Sequence, residues 1–224
     1  HLLVYSGATT GECVYLGCVS DGCRVRDSLV DHNYCHDTLG SQGGSRAGFQ
    51  VKVTNLHTND NFLFLVGSFN VRIRNNVCYN VVGPCIVVYD DYNRGRNLID
   101  GNLAINAGTA DLGIQCTSGA TVTNNIVINS RKNKVFFFLM IVRLLGLAGI
   151  GVILNSIYPT VNYIRNITIS HNTVYMTQAD ACLRLNSVTN KDIIIFNNVF
   201  FCDKQKSITS SSSLIGNFAY TLLN

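Results

Sequence analysis

Val71-Arg72-Ile73-Arg74-Asn75-Asn76-Val77-Cys78-Tyr79 is the stretch whose reading decides the fold. Asn76 has an aliphatic residue three places before it, Ile73, and an apolar residue two places after, Cys78. The same phrase closes on Asn33, Asn102, Asn125, Asn172 and Asn198. The residues at minus three are Val30, Ile99, Val122, Ile169 and Ile195; those at plus two are Cys35, Ala104, Val127, Val174 and Phe200. Asn76 and Asn102, Asn102 and Asn125, and Asn172 and Asn198 lie 26, 23 and 26 residues apart. A repeat in the low twenties predicts a stack of similar coils, each burying a face on its neighbours.

Alternation around each Asn has period two. Val71 and Ile73 flank Arg72, and Ile167 and Ile169 flank Thr168. β-Branched residues at that period mark strands with one buried face. Asn tolerates the left-handed backbone region that a sharp corner needs, so the corner is expected at the Asn itself. Stacked copies would let the amides bond along a ladder.

A further strand recurs after most corners: Gly48-Phe49-Gln50-Val51-Lys52, Cys85-Ile86-Val87-Val88-Tyr89, Gly113-Ile114-Gln115-Cys116-Thr117, Gly149-Ile150-Gly151-Val152-Ile153 and Cys182-Leu183-Arg184-Leu185-Asn186. An earlier copy is Cys13-Val14-Tyr15-Leu16-Gly17. Phe49, Val51, Ile86, Val88, Ile114, Cys116, Leu183 and Leu185 are expected to face in. The predicted architecture is all-β: a right-handed parallel β-helix of three-strand coils, about six to seven rungs deep, with an Asn ladder.

The phrases "GCVSDGCRVRDSLVDHNYCHDT", "VRIRNNVCYN", "GRNLIDGNLAIN" and "ITISHNTVY" resemble the coil repeats of right-handed parallel β-helix proteins of the pectate-lyase-like superfamily. The resemblance covers most of residues 11–202 and is more specific for fold than for activity.

With 224 residues, residues 1–224 read as one elongated domain. Two Pro, no Trp and 13% charged residues suit stacked strands with continuous apolar inner faces. The chain opens at His1 without an initiator Met, a signal peptide or a capping segment, and reads as a piece or mature portion of something longer. Residues 53–67 and 131–148 break the repeat as loop insertions. The second holds an apolar run, residues 135–148, read as a loop or short helix packed on the solenoid. Arg143 within it argues against a membrane span. A reading-frame artefact competes with that reading.

Nine cysteines are an odd number. Cys35, Cys78 and Cys116 fall on inward positions and are expected to serve as small hydrophobes. Cys18 and Cys23 would suit a loop disulfide in a secreted protein, and no His completes a zinc spacing near them. Asn166-Ile167-Thr168 has the form of a glycosylation sequon, with its last two residues in a strand.

An apolar core leaves chemistry to the outer faces and loops. The richest stripe runs beside the recurring further strand: Gln50, Lys52, Tyr89, Gln115, Thr117, Arg184 and Asn186. Asp90, Asp91, Arg94, Arg96 and Asp111 follow in adjoining loops, and His36 and Asp37 follow the first corner. Stacking at roughly 4.8 Å would bring Lys52, Tyr89 and Thr117 into one column suited to a long polymer. Eliminating across a uronate unit needs a base near the C5 proton, a cation at the carboxylate and an acid at the leaving oxygen. Lys52, Arg94 or Arg96 would supply base or positive charge, and Tyr89 or His36 the acid. Gln50, Arg96, Gln115, Thr117 and Arg184 would bind substrate. Asp90, Asp91 and Asp111 are oxygen donors of the kind calcium prefers. The resemblance implies that such roles exist on this groove without assigning them.

Structural readings stand beside these. Asp90 and Asp91 suit a turn; Arg94 and Arg96 suit a solvated loop; Lys52 suits a strand edge. His36 and Asp37 suit a local pair that orders a corner, and His171 substitutes for the corner Asn of other coils. The expected function is therefore action on an acidic polysaccharide, most plausibly as a lyase. Alternatives are a non-catalytic carbohydrate-binding or surface-adhesion module and a structural segment of a longer repeat protein. The expected setting is secreted or cell-surface, as a monomer or part of a longer chain. A net charge of +4 is compatible with an acidic ligand but too small to demand one. Lys and Arg are not clustered with aromatics, which argues against nucleic acid.

Overall fold

The computed structural model describes residues 3–5, 12–18, 24–38, 47–53, 67–81, 83–89, 96–107, 112–116, 119–128, 148–153, 163–176, 181–186, 189–202, 206–210 and 218–222. Among the described residues every regular element is a strand, and every recorded strand pairing is parallel. The architecture is all-β with large parallel sheets, compatible with a parallel β-helix. The apolar run at 135–148 lies outside the described residues.

Sheet A has two limbs. The first contains β4 (Leu29–Asp31), β8 (Arg72–Arg74), β11 (Asn97–Asp100), β14 (Ala120–Thr123) and β17 (Tyr163–Ser170). The second contains β1 (Leu3–Tyr5), β5 (Tyr34–Thr38), β9 (Val77–Val81), β12 (Leu103–Ile105), β15 (Ile126–Ile128) and β18 (Thr173–Met176). The limbs meet in β20 (Thr189–Cys202), which pairs with β17 up to Phe196 and with β18 from Val199. β22 (Phe218–Leu222) continues on β20. Sheet B stacks β2 (Val14–Cys18), β6 (Phe49–Val53), β10 (Ile86–Tyr89), β13 (Leu112–Cys116), β16 (Ala148–Ile153), β19 (Ala181–Asn186) and β21 (Lys206–Ser210). A small pair joins β3 (Arg24–Arg26) to β7 (Gly67–Phe69).

The inward positions expected from the sequence are filled as expected. Phe49, Val51, Ile86, Val88, Ile114, Cys116, Leu183 and Leu185 are all buried in one core. Ile73, Ile99, Val122, Ile169 and Ile195 enter that core from the first limb, and Val127, Val174 and Phe200 from the second. The strands that carry these residues therefore contribute alternate side chains to a shared apolar interior.

The six aligned asparagines are hydrogen-bonded amide to amide. Nδ2 of Asn33, Asn76, Asn102, Asn125 and Asn172 donates to Oδ1 of the next at 3.0, 3.1, 3.0, 3.0 and 2.9 Å. The same Oδ1 atoms accept the backbone N–H of the preceding Asn. Nδ2 of Asn76, Asn102, Asn125, Asn172 and Asn198 also reaches a neighbouring strand's carbonyl, on Val30, Ile73, Ile99, Val122 and Ile169, each at 2.9 Å. Backbone groups at a bend cannot all pair within a sheet, and these amides supply the missing partners.

The left-handed backbone is not at these asparagines, as the sequence reading had it. It falls one residue earlier, on His32, Asn75, Gly101, Asn124, His171 and Asn197, with φ between 51° and 64°. That residue turns outward, leaving the aligned Asn free to point in. A Cβ at Gly101 would lie 2.8 Å from Asn75 Oδ1, so glycine suits that corner on two counts. His171 substitutes for a corner Asn as expected, and its Nε2 lies 3.2 Å from Asn197 Nδ2.

Cys35 and Cys78 are not free thiols acting as small hydrophobes, which corrects the expectation. Cys13–Cys35, Cys78–Cys85 and Cys182–Cys202 are disulfides, each joining sheet A to the sheet B side of the core. Gly48 lies against two of them: a Cβ there would meet Cys78 Sγ at 2.8 Å and Cys35 Sγ at 3.3 Å. Cys116 is a buried free thiol, and burial pushes its pKa up to about 12. The Cys18–Cys23 pairing lies outside the described residues.

Candidate functional site

The candidate groove is the outer face of sheet B. Register aligns Tyr15, Gln50, Val87, Gln115, Gly151, Arg184 and Thr209 across its seven strands. Two residues further along, Gly17, Lys52 and Tyr89 are successive Cα partners. Lys52 and Tyr89 thus occupy equivalent positions on adjacent strands, as the repeat predicts. Their side chains lie outside the described residues, as do Thr117, Arg94, Asp90, Asp91 and Asp111 altogether.

Gln50 departs from expectation. It occupies an outward position between inward Phe49 and Val51, yet it is only 2% exposed. Val87 beside it is buried too, in a small cluster with Ala47 that is separate from the main core. The outer face is therefore closed to solvent at Gln50 and Val87, whereas Tyr15 on the preceding strand is exposed. Gln50 Oε1 is buried without a hydrogen-bond partner among the described residues. Gln115 and Arg184 are half-buried, with Gly151 between them leaving a position without a side chain.

His36 and Arg96 do not join this face. His36 lies on β5 in sheet A, where its Nδ1 is 2.9 Å from Asp37 Oδ2 and its ring stacks on Tyr34. This is the local pair that the sequence allowed as the structural reading. Arg96 is exposed immediately before β11, also in sheet A. Among the described residues no three His, Cys, Asp or Glu side chains come together as a metal site.

A polar cluster on the first limb was missed from sequence. Arg74 Nη2 reaches Asp31 Oδ2 at 3.1 Å, and Asn75 Nδ2 reaches Asp31 Oδ1 at 3.0 Å. His32 Nδ1 lies 2.8 Å from the same carboxylate. Arg74 and Asp31 are 43 residues apart, the same interval as Asn33 and Asn76, so the repeat could have found them. Partial burial works to raise the Asp31 carboxyl, but hydrogen bonds from Asn75, Arg74 and His32 and the Arg74 charge together hold it below the usual range. The His36 hydrogen bond, then that from Asn80, lowers Asp37 in the same way.

Both carboxyls bind a proton less readily folded than unfolded. Their contribution is present above the unfolded pKa and is lost as pH falls through the lower folded value. Thermal midpoints should therefore drop as pH falls below about 4, the ordinary aspartate value. In Asp31→Asn/Asp37→Asn the decline should be shallower. Parallel midpoint-against-pH curves for the two proteins would contradict this.

Searches against protein-family models, curated proteins and solved structures find no match. The reading of function rests on the residues themselves.

Proposed function

We propose that the chain winds as a right-handed parallel β-helix of the pectate-lyase-like kind and acts on a uronate-containing polysaccharide by β-elimination. The supporting observation is the backbone register of Lys52 with Tyr89 on adjacent strands of sheet B, two residues along from the column that holds Gln115 and Arg184. Lys52 is the base for the C5 proton. The electron pair from that C–H bond forms the C4–C5 double bond as the bond from C4 to the bridging oxygen breaks. Tyr89 returns a proton to that oxygen. Arg184, with Arg94 from the adjoining loop, offsets the substrate carboxylate, and Gln115 and Thr117 hydrogen-bond its hydroxyls. Asp90, Asp91 and Asp111 are suitable donors for calcium; no step above runs through the metal.

The three disulfides among the described residues suit an oxidising setting, which supports a secreted or cell-surface protein. The test is absorbance of the unsaturated product on pectate, alginate and glycosaminoglycans, with calcium added. Lys52→Ala should lower the rate by about a hundredfold or more, the scale of a lost general base. No product from any polymer would defeat the lyase reading. Tyr15 and Gln115 on this face favour a second reading, a non-catalytic binding module, in which polymer binding survives without turnover.

A further inference from the structure

The second limb of sheet A presents an outer face unlike the other two. Tyr34, Tyr79, Ile126 and Tyr175 are 40, 39, 44 and 40% exposed, and half-buried Val77 and Leu103 lie between them. They fall into two columns by register. Tyr34, Val77, Leu103 and Ile126 are successive partners in one, and Tyr79 and Tyr175 stand in the other. Among the described outward positions of β5, β9, β12, β15, β18 and the later half of β20, the one His–carboxylate pair is His36–Asp37 at the β5 end; the rest carry no Lys, Arg, Asp or Glu. The first limb, by contrast, shows Asp31, Arg72, Arg74 and Asp100 outward.

Size narrows the occupant. Six strands at ~4.8 Å and three residues at ~3.3 Å make a strip of about 29 by 10 Å, a footprint near 300 Å². A stable dimer needs about 800 Å² from each partner. Side-chain relief raises the accessible area above the footprint, but not by the more than twofold required. The strip is too narrow for a second copy and has the proportions of one extended polymer lying along the stack. Charge narrows it further. Beyond His36, which is already tied to Asp37 at the β5 end, an acidic polymer meets no Lys or Arg here, so its charged groups would lose water without gaining a partner. A peptide strand finds no free backbone, because the strip is a sheet face whose N–H and C=O groups already pair sideways. Phenol rings with polar tips suit a ligand with apolar C–H surfaces and a rim of hydroxyls.

We infer that this strip binds a neutral polysaccharide chain along the stack, on a different sheet from the groove assigned to the acidic polymer. The inference goes beyond the lyase reading and does not depend on it. The test incubates the full chain with cellulose or chitin particles in high salt and measures the protein left in solution. Wild type should be depleted, and salt should not prevent it, because apolar contacts are not screened. Tyr79→Ala/Tyr175→Ala should bind about tenfold more weakly with an unchanged circular dichroism spectrum. If that variant unfolds, Ile126→Glu carries the same test at an exposed position. No depletion of wild type by either polymer overturns the inference, as does undiminished binding by a folded variant. Sedimentation showing a dimer that Ile126→Glu dissolves would give the strip to a second copy and overturn it as well. Turnover is not read, so failure of the lyase assay leaves this result standing, and the reverse.

Discussion

Reducing the disulfides is expected to unfold the protein. Cys13–Cys35, Cys78–Cys85 and Cys182–Cys202 span 22, 7 and 20 residues of sequence. Loop-closure entropy assigns about 3, 2 and 3 kcal/mol to loops of these lengths. The loops do not overlap in sequence, so the terms add to roughly 8 kcal/mol. Domains of this kind are stable by only about 5–15 kcal/mol. Each bridge also ties sheet A to the sheet B side of the core, so reduction loosens one wall of the interior from another. Cys116 does not offset the loss: a buried thiol with its pKa pushed up to about 12 stays protonated and is a poor nucleophile for rebuilding bridges. The measurement is a urea midpoint with and without reductant, with free thiols counted by alkylation and mass spectrometry. An unchanged midpoint with Cys13, Cys35, Cys78, Cys85, Cys182 and Cys202 all alkylated would sink the idea.

Asn102→Ala should cost about 3–5 kcal/mol, the largest effect expected from a single side chain. Asn102 is buried, and its Oδ1 accepts both the backbone N–H and the amide of Asn76, at 3.0 and 3.1 Å. Its Nδ2 donates to the carbonyls of Ile73 and Asp100 and to Asn125 Oδ1. Alanine removes the acceptor of the buried Asn76 N–H, which costs about 1–3 kcal/mol, and takes one bond each from Asn76 Nδ2, Ile73 O, Asp100 O and Asn125 Oδ1, at about 0.5–1.5 kcal/mol apiece. The comparison is Asn75→Gly, at the exposed left-handed position of the preceding corner. It loses the bond to Asp31 Oδ1, while glycine accepts the φ of 53° without strain, so the change should stay within about 1 kcal/mol. Equal losses in the two variants, by denaturant titration, would show that position along the amide run does not matter.

The repeat was legible because its period is imposed by burial. Ile73, Ile99, Val122, Ile169 and Ile195 had to recur at one phase for their side chains to share a core, and the six asparagines travel with that phase. The inward set of sheet B followed from simple alternation. The exact corner residue was not legible: Asn75-Asn76 and Asn124-Asn125 offer two asparagines side by side, and composition does not say which turns out. Gly101-Asn102 in the same phase held the answer, because only the first position tolerates glycine there.

The candidate groove was legible in part. Lys52 and Tyr89 share a register position because each stands at one phase of the same repeat. The burial of Gln50 was not, because alternation says which face of a sheet a residue leaves and nothing about what lies over that face. His36 was assigned to the groove from nearness in sequence to the strand carrying Lys52, but the chain changes sheets between β5 and β6. The cysteines failed for a related reason. Cys35 and Cys78 are inward, as read, but pairing depends on which inward residue of another sheet comes within bonding distance.

By itself the sequence determined the all-strand class, the phase of the buried positions and the six asparagines that align, because local alternation and a fixed period act on each residue through its neighbours along the chain. Only the tertiary structure decided the disulfide partners, the burial of Gln50 and the tyrosine strip on the second limb. Those depend on groups from separate strands meeting across a core or a face, and distance through space is not carried by order along the chain.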